Sequence, residues 1–390
     1  MKRSQSSRIK RIAVIGMPML QVQSRFNAAL MSYAATKGNW KFIASIMEVS
    51  VENVRILRRF HCDGALVRVI SPAIARETSR LPFPIVNFSS WLAKPGVPTV
   101  QWDNTRASQL AAQHLLQKGF RRFGVVVSKG GWFTHPRYTS FLNTVEKAGF
   151  GANISTFRLQ HHPADAGDLR RFRKWVAGLQ SPVGLFLVND DPDAPALMDA
   201  CRAAGKNIPR DVAVITSPGH PEICPFCQPP LTHVDSNEEG VALEAAKLLD
   251  RLMSGEKIEN QIVSVHGGGL IALGSTDTMA VEDPSVTLAN EFIRMHISEP
   301  ISIKNVAQYI SVPRRTLERH FRAAMGVSLH DFLARERIER AQDLLKAVPR
   351  LTLKEVADRC GFTTISYLNT AFRLKVGMSP QEWRLRFSRD

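Results

Sequence analysis

The chain has 390 residues, more than one hydrophobic core usually organises, so two or three domains are expected. Its composition, 44% apolar and 22% charged, is that of a globular protein with no apolar run long enough to span a membrane, and five cysteines are too few for a disulfide framework, which points to a reducing cytoplasm. Lys and Arg outnumber Asp and Glu by 51 to 35, a net charge of +16. The excess is localised: residues 287–390 hold 18 basic against 11 acidic side chains, and residues 1–11 carry five cations and no acid. That favours a defined surface for a polyanion over charge spread evenly for solubility.

From the N-terminus, residues 1–11 read as a basic flexible tail rather than a secretory leader, because the apolar stretch that follows contains Pro18 and lacks a small-residue cleavage pattern. Short apolar runs at 12–16, 64–69, 84–88, 123–127, 183–188 and 212–215 read as buried strands. Helical spacing fills 25–37, 104–118, 136–148, 168–179, 195–204 and 238–253. The alternation predicts an α/β region of parallel sheets covered by helices, and its extent, residues 12–275, suits two doubly wound lobes around a cleft. Gly274, Ser275 and Thr276 end the pattern, and the acidic stretch through Glu282, Asp283 and Pro284 marks a linker at 276–286.

From residue 287 the spacing is helical throughout, so 287–390 is expected to be an all-α domain. Ser302 caps a helix with Ile303, Val306, Ala307 and Ile310 on its apolar face, and Ser311 and Pro313 break it and start a second. In that second helix Leu317 and Phe321 face inward, which leaves Arg314, Arg315, Glu318, Arg319 and Arg322 outside. The design recurs: Thr352 and Glu355 form a capping box, Gly361 permits a turn, and a helix starts near Thr364 with Leu368 and Phe372 inside. A long amphipathic helix through Phe332, Leu333, Ile338, Ala341, Leu344 and Leu345 joins the two units, and Ser379, Pro380 and Glu382 cap a last helix holding Trp383 and Phe387. Two helix-turn-helix units in one module let each second helix enter a major groove on one face of double-stranded DNA, roughly 34 Å apart. Arginine suits guanine O6 and N7, Ser366, Asn369 and Thr370 suit adenine or the thymine methyl, and Arg322 and Arg373, further along their helices, suit phosphate.

Gly361-Phe362-Thr363-Thr364 through Tyr367, Phe372, Gly377, Ser379-Pro380 and Trp383-Arg384 resembles the C-terminal half of the AraC/XylS family domain, and Val306-Ala307, Leu317, Arg319, Phe321 and Gly326 match its more variable first half. The resemblance covers residues 287–390 and implies a sequence-specific transcription regulator, commonly an activator, with operator DNA and RNA polymerase as partners. Carried over position by position, it selects Arg315, Glu318, Arg319, Ile365, Ser366, Asn369 and Thr370 as base-contacting residues; Arg314, Arg322, Thr364 and Arg373 complete the candidate DNA surface.

In the N-terminal region, Trp102-Asp103-Asn104, His114-Leu115, Gly119-Phe120, Arg137 with Phe141, Asn189-Asp190, Asp235 with Glu239-Gly240, and Ala245-Ala246-Lys247-Leu248-Leu249 are similar to LacI/GalR-type sensors of the periplasmic-binding-protein fold. That resemblance implies a sugar held between the lobes, with an Arg and an Asp from strand ends on its hydroxyls and an aromatic ring over its apolar face; Arg137 and Asp190 match the polar pair. The candidate ligand residues are Asp103, Trp132, Arg137, Asn189, Asp190 and His220, with Phe133 and Trp91 as further stacking platforms. Asp103 equally fits a cap for the helix at Asn104, and Asp190 a cap before Pro192. The chain departs from such sensors after 212–215, where Ser217-Pro218-Gly219-His220 replaces their usual Asp or Asn.

Cys224 and Cys227, with His220 and His233 nearby, have the composition of a zinc site but lie in a Pro-rich loop, so ordinary thiols are expected, with no metal and no cofactor. A phosphate-binding Gly-rich Lys loop, a Gly-x-Ser-x-Gly elbow and a dinucleotide fingerprint are all missing, which argues against an enzyme. The reading is a ligand-controlled homodimeric regulator of carbohydrate use. A ligand-free dimerisation scaffold joined to the DNA-binding domain, or a DNA-localised α/β enzyme, are the alternatives.

Overall fold

A computed structural model describes residues 8–16, 25–128, 130–161, 164–189, 193–219, 223–258, 262–280, 283–347 and 350–387. They form two compact units, one of the residues up to Leu116 with Arg121–Thr278, the other of Met279–Asp390 with Gln117–Phe120. No helix among the described residues is long and apolar enough to cross a membrane.

The first unit contains strands β1 (Lys10–Ile15), β2 (Trp40–Ile46), β3 (Gly64–Val67), β4 (Ile85–Asn87), β5 (Thr99–Trp102), β6 (Phe123–Val127), β7 (Ile154–Arg158), β8 (Val183–Leu187), β9 (Val212–Gly219), β10 (Thr232–Asp235), β11 (Ile262–Val265) and β12 (Gly269–Ile271). Its helices are α1 (Arg25–Lys37), α2 (Val51–Ile56), α3 (Pro72–Thr78), α4 (Asn104–Gln117), α5 (Thr134–Lys147), α6 (Ala166–Ala177), α7 (Ala194–Ala203) and α8 (Glu238–Met253). Two six-stranded sheets result, ordered β11-β5-β4-β3-β1-β2 and β12-β10-β9-β8-β6-β7. Every recorded strand pairing is parallel except β12 on β10.

Alternate residues of the first sheet serve opposite faces, as the two-residue strand period requires. Ile12, Val14, Leu66 and Val86 pack against Phe26 and Leu30 of α1 and Ala242 and Leu249 of α8. Their neighbours Ala13, Ile15, Ala65 and Val67 pack against Val54, Leu57 and Ile74. Coverage on both faces is why these strands read as unbroken apolar runs. β2, β7, β11 and β12 lie at sheet edges and are partly exposed, and β5 and β10 are interrupted by Thr99, Gln101, Thr232 and His233, so the sequence pattern missed all six.

The chain passes between the two sheets three times, at Asp103, at Ser236–Asn237 and at His266–Gly268, and the three crossings are knitted together. Asp103 N donates to Val265 O at 2.9 Å, Gly268 N to Asp235 O at 3.1 Å and Asn237 Nδ2 to His266 O at 2.9 Å. A Cβ at Gly267 would lie 2.8 Å from Asp235 O and one at Gly268 would lie 2.1 Å from the Asp235 carboxylate, so the close approach requires glycine at both positions.

Two expectations are corrected. Of the basic tail, residues 1–7 lie outside the described residues, but Lys10 and Arg11 belong to β1, Lys10 Nζ pairs with Asp250 at 2.6 Å and Arg8 with Asp63 at 2.9 Å. These cations are compensated by the sensor's own carboxylates. Of the stretch expected as linker, 276–286, residues 281–282 lie outside the described residues, but Thr276 Oγ1 is bonded to Thr232 Oγ1 at 2.7 Å and helix α9 (Pro284–Met295), capped by Asp283, already begins within it.

After α9 the second unit continues through α10 (Ile303–Tyr309), α11 (Arg314–Met325), α12 (Leu329–Ala347), α13 (Leu353–Arg359), α14 (Ile365–Val376) and α15 (Pro380–Phe387). The capping box expected at Thr352 and Glu355 is present, Ser302 forms one with Asn305, and Thr364 caps α14. Two apolar cores lie along α12: Leu329, Phe332 and Leu333 join Val306, Leu317 and Phe321, whereas Ile338, Ala341 and Leu345 join Val356, Leu368 and Phe372. One helix thus carries both helix-turn-helix units.

Candidate ligand cleft and DNA interface

A cavity of about 390 Å³ opens between the two lobes of the first unit, within the size range of small-molecule sites. One side is formed by Arg68, Phe88, Ser89, Trp91, Gln101 and Trp102, the other by Phe133, Arg137, Pro218 and Gly219. Most of these follow the C-terminal ends of parallel strands, where doubly wound sheets gather their ligand groups.

Arg137, on α5, is the most constrained polar group of the cleft. It is 5% exposed. Its Nε donates to Asn104 Oδ1 at 2.7 Å, and Nη1 to the carbonyls of Val188 and Ser217 at 3.4 Å each. The guanidinium lies over Phe133 at 4.3 Å and Trp102 at 5.2 Å from the ring centroids. Fixed donors flanked by aromatic faces suit a compact polyhydroxylated ligand with one apolar side.

The other ligand expectations divide. Phe133 and Trp91 line the cavity, their rings edge to face at 5.3 Å. Trp132 does not line it: its backbone N–H donates to Trp91 O at 2.8 Å and its ring is 41% exposed, so the neighbouring Phe133 supplies the inner face. Asp103 is likewise turned away, accepting from Arg106 N at 2.9 Å as the cap of α4 and lying 3.4 Å from His266 Nδ1. Asn189 is buried, donates to Ser128 Oγ at 2.5 Å and keeps its Oδ1 unbonded, outside the cavity lining. Asp190 and His220 lie outside the described residues.

Sequence reasoning missed Arg68, Phe88, Gln101 and Trp102. Arg68 follows β3 and Phe88 follows β4, both strands legible from composition, so strand-end position was a usable signal for these two. Gln101 and Trp102 end β5, whose apolar run is broken by Thr99 and Gln101. Cys224 and Cys227 are buried in the apolar core of the second lobe, where burial pushes the Cys227 thiol up. His233 Nδ1 is bound to Leu231 O at 3.0 Å. The acid–histidine cluster among the described residues is His161, Asp165 and Asp168, and it pins a loop: Asp168 takes the N–H groups of Gln160 and His161 at 3.0 and 2.8 Å together with Arg171.

In the second unit, Leu317 and Phe321 are buried and Arg314, Arg315, Arg319 and Arg322 are exposed on α11, with Glu318 half-buried and bound to Arg314 Nε at 2.9 Å. On α14, Ile365, Ser366, Thr370 and Arg373 are exposed, Asn369 is half-buried, and Thr364 accepts from Tyr367 N at 3.1 Å. Gly326 and Gly377 end the two helices in left-handed geometry, at φ of 72° and 82°, as helix stops favour. Each candidate reading helix therefore offers an exposed, largely polar face of the kind that lies in a major groove, with Ile365 as its apolar member on α14.

Comparison with known proteins agrees with both halves. Residues 112–276 match the periplasmic binding protein-like domain family and residues 306–386 a helix-turn-helix domain family. The xylose operon regulatory protein of Haemophilus influenzae is 26% identical over 75% of this chain and 76% of its own length, and that of Escherichia coli K12 is 25% identical over 83% of each. Among solved structures, the xylose-binding transcription activator XylR aligns with a TM-score of 0.61 at 22% identity, over 98% of this chain and 100% of its own. A ribose-bound LacI family regulator from Enterococcus faecium covers 70% of this chain and 100% of its own, with a TM-score of 0.55 at 22% identity. The chain thus joins a periplasmic binding protein-like domain to a helix-turn-helix domain, resembles the xylose operon regulators over most of its length, and is on that likeness a DNA-binding transcription regulator rather than an enzyme.

Proposed function

We propose that a monosaccharide binds in the cleft of the first unit and thereby controls operator binding by the second, as a cytoplasmic homodimer that acts on RNA polymerase at a carbohydrate-utilisation operon. The cavity carries the reading: Arg137 and two aromatic rings converge on it from both lobes, and three adjacent crossings allow the lobes to close. Closure that favours one arrangement of the DNA-binding units couples the two sites by the ligand's differential affinity. A xylose-binding activator and a ribose-bound regulator among the neighbours make pentoses the first class to test.

The DNA surface follows the candidate residues, with Arg315, Glu318, Arg319, Ile365, Ser366, Asn369 and Thr370 on bases, and Arg314, Arg322, Thr364 and Arg373 on the backbone. The test of the sensor is a thermal-shift screen of aldopentoses and aldohexoses. At a ligand concentration of roughly a hundred times Kd the folded state gains about 2.7 kcal/mol. A sugar that raises Tm in the wild type should lose most of that effect in Trp91→Ala. No shift with any sugar, and unchanged DNA affinity, would favour the ligand-free scaffold instead.

A further inference from the structure

Between its two helix-turn-helix halves the second unit contains another cavity, of about 380 Å³. Lys304 from α10, Arg314 from the first residue of α11, and His330 and Arg337 from α12 line it, Thr363 and Tyr367 add hydroxyls, and no carboxylate is among its described lining residues. Glu318, outside the lining, binds Arg314 Nε at 2.9 Å, but Lys304 and Arg337 leave the described lining with an excess of cations, unlike a solvated charged face, where both signs are interspersed.

Arg337 sets this cavity apart. It is 7% exposed. Its Nη2 donates to the carbonyls of Glu299 and Ile301 at 2.9 and 3.1 Å, but its buried Nε has no hydrogen-bond partner. Burial also pushes the guanidinium below its usual pKa. A buried cation with an unmet donor is costly, and an anion would relieve the cost.

The position of the cavity indicates which anion. Its wall joins the beginnings of both reading helices: Arg314 immediately precedes Arg315 in α11, and Tyr367 immediately follows Ser366 in α14. On a duplex read by both helices in successive major-groove segments, what passes between them is sugar-phosphate backbone, with a phosphate every 3.4 Å or so along each strand.

We propose that this cavity receives a DNA backbone phosphate lying between the two major-groove segments, held by the exposed Lys304, Arg314 and His330 and by the buried Arg337. The proposal rests on both helices reading one face of the duplex. A phosphate held there fixes the register of the two reading helices without selecting any base.

The experiment uses the full-length protein and a duplex that it selects from a random library. Each phosphate between the two protected segments is replaced in turn by a neutral methylphosphonate. One or two replacements should weaken the wild type about tenfold. The same replacements should change the affinity of Lys304→Ala/His330→Ala, whose two sites are exposed, by less than about twofold. That variant should bind more weakly with unaltered base preference, and its salt slope should fall by roughly one to two. Equal sensitivity of wild type and variant to every replacement overturns the phosphate site. Base reading is monitored separately by Arg319→Ala, so the two failures are distinguishable; protection of a single segment would remove the premise itself. Loss of DNA affinity when inorganic phosphate replaces chloride at equal ionic strength, with no sensitivity to any one linkage, would assign the cavity to a free anion and also overturn the proposal.

Discussion

Substituting Asn104 by alanine probes the sensor at the point where its fold and its cleft meet. Asn104 and Arg137 are both buried, and one bond of 2.7 Å, from Arg137 Nε to Asn104 Oδ1, ties α5 to the start of α4. The same amide donates from Nδ2 to Trp102 O at 3.0 Å, so alanine removes two buried bonds at once, one of them to a charged donor. The charged bond is worth about 1.5–3 kcal/mol and the neutral one about 1, so Asn104→Ala should destabilise the sensor by about 2–4 kcal/mol. Arg137 then loses the acceptor that sets its orientation over Phe133 and Trp102, and affinity for the sugar identified by thermal shift should fall at least tenfold. Asn104→Asp keeps an acceptor and should recover much of both. Urea unfolding followed by tryptophan fluorescence measures the stability, and isothermal titration calorimetry the affinity. A midpoint shift equivalent to less than about 0.5 kcal/mol, with sugar binding unchanged, would refute the claim that this bond organises the cleft.

On the DNA side, Arg319→Ala should relax preference at one base position at a cost of about 1–3 kcal/mol, whereas Arg322→Ala should weaken all sequences alike and flatten the salt dependence; competition binding at several salt concentrations distinguishes them. Gly361→Ala should lower the stability of the second unit by more than about 2 kcal/mol, read by urea unfolding. Gly361 adopts φ 68°, and a Cβ there would lie 2.3 Å from Glu299 O and 2.7 Å from Ile297 O, backbone atoms that cannot rotate away. Asp250 predicts an acid-sensitive first unit: burial raises its pKa, but bonds from Lys10, Lys37 and Trp40 outweigh burial and hold it at about 2, below the ordinary 3.8. Its contribution is therefore fully present above about pH 4 and disappears as pH falls towards 2. Asp250→Asn should cost about 1–2 kcal/mol at pH 7, the partly exposed lysine partners limiting the figure, and should nearly converge with the wild type at pH 2 in urea midpoints measured across that range.

How much was legible from sequence follows the range of the interactions involved. In the second unit the signals are local. Ser302, Thr352 and Thr364 cap within three residues of themselves, Gly326 and Gly377 stop helices, and Leu317 with Phe321, or Leu368 with Phe372, declare a buried face four residues apart. The charged face of α11 and the two-unit design therefore stood in the sequence. In the first unit, strands that are apolar on both faces could be read for the same reason, even the short β3 and β4, while the edge strands β2, β7, β11 and β12 and the polar-interrupted β5 and β10 could not, because an exposed or mixed pattern leaves no local signal. α1 and α8 coincide with the expected helices.

The cleft was less accessible because membership depends on side-chain direction. Successive side chains in an extended backbone point to opposite sides. Trp102, ending β5, therefore lines the cavity while Asp103 caps α4; in the turn that opens α5, where Phe133 has helical φ and ψ, Phe133 lines the cavity and Trp132 does not. Sequence and family resemblance located these pairs but not the member of each that faces the cavity. The basic pocket around Arg337 depends still more on tertiary structure, since its walls come from α10, α11, α12 and the start of α14. By itself the sequence determined the two-part architecture and the exposed arginine helix, and family resemblance added Arg137 as a cleft candidate. Only the tertiary structure decided which groups share an enclosed space, because that requires strand ends and helix starts distant in the chain to converge.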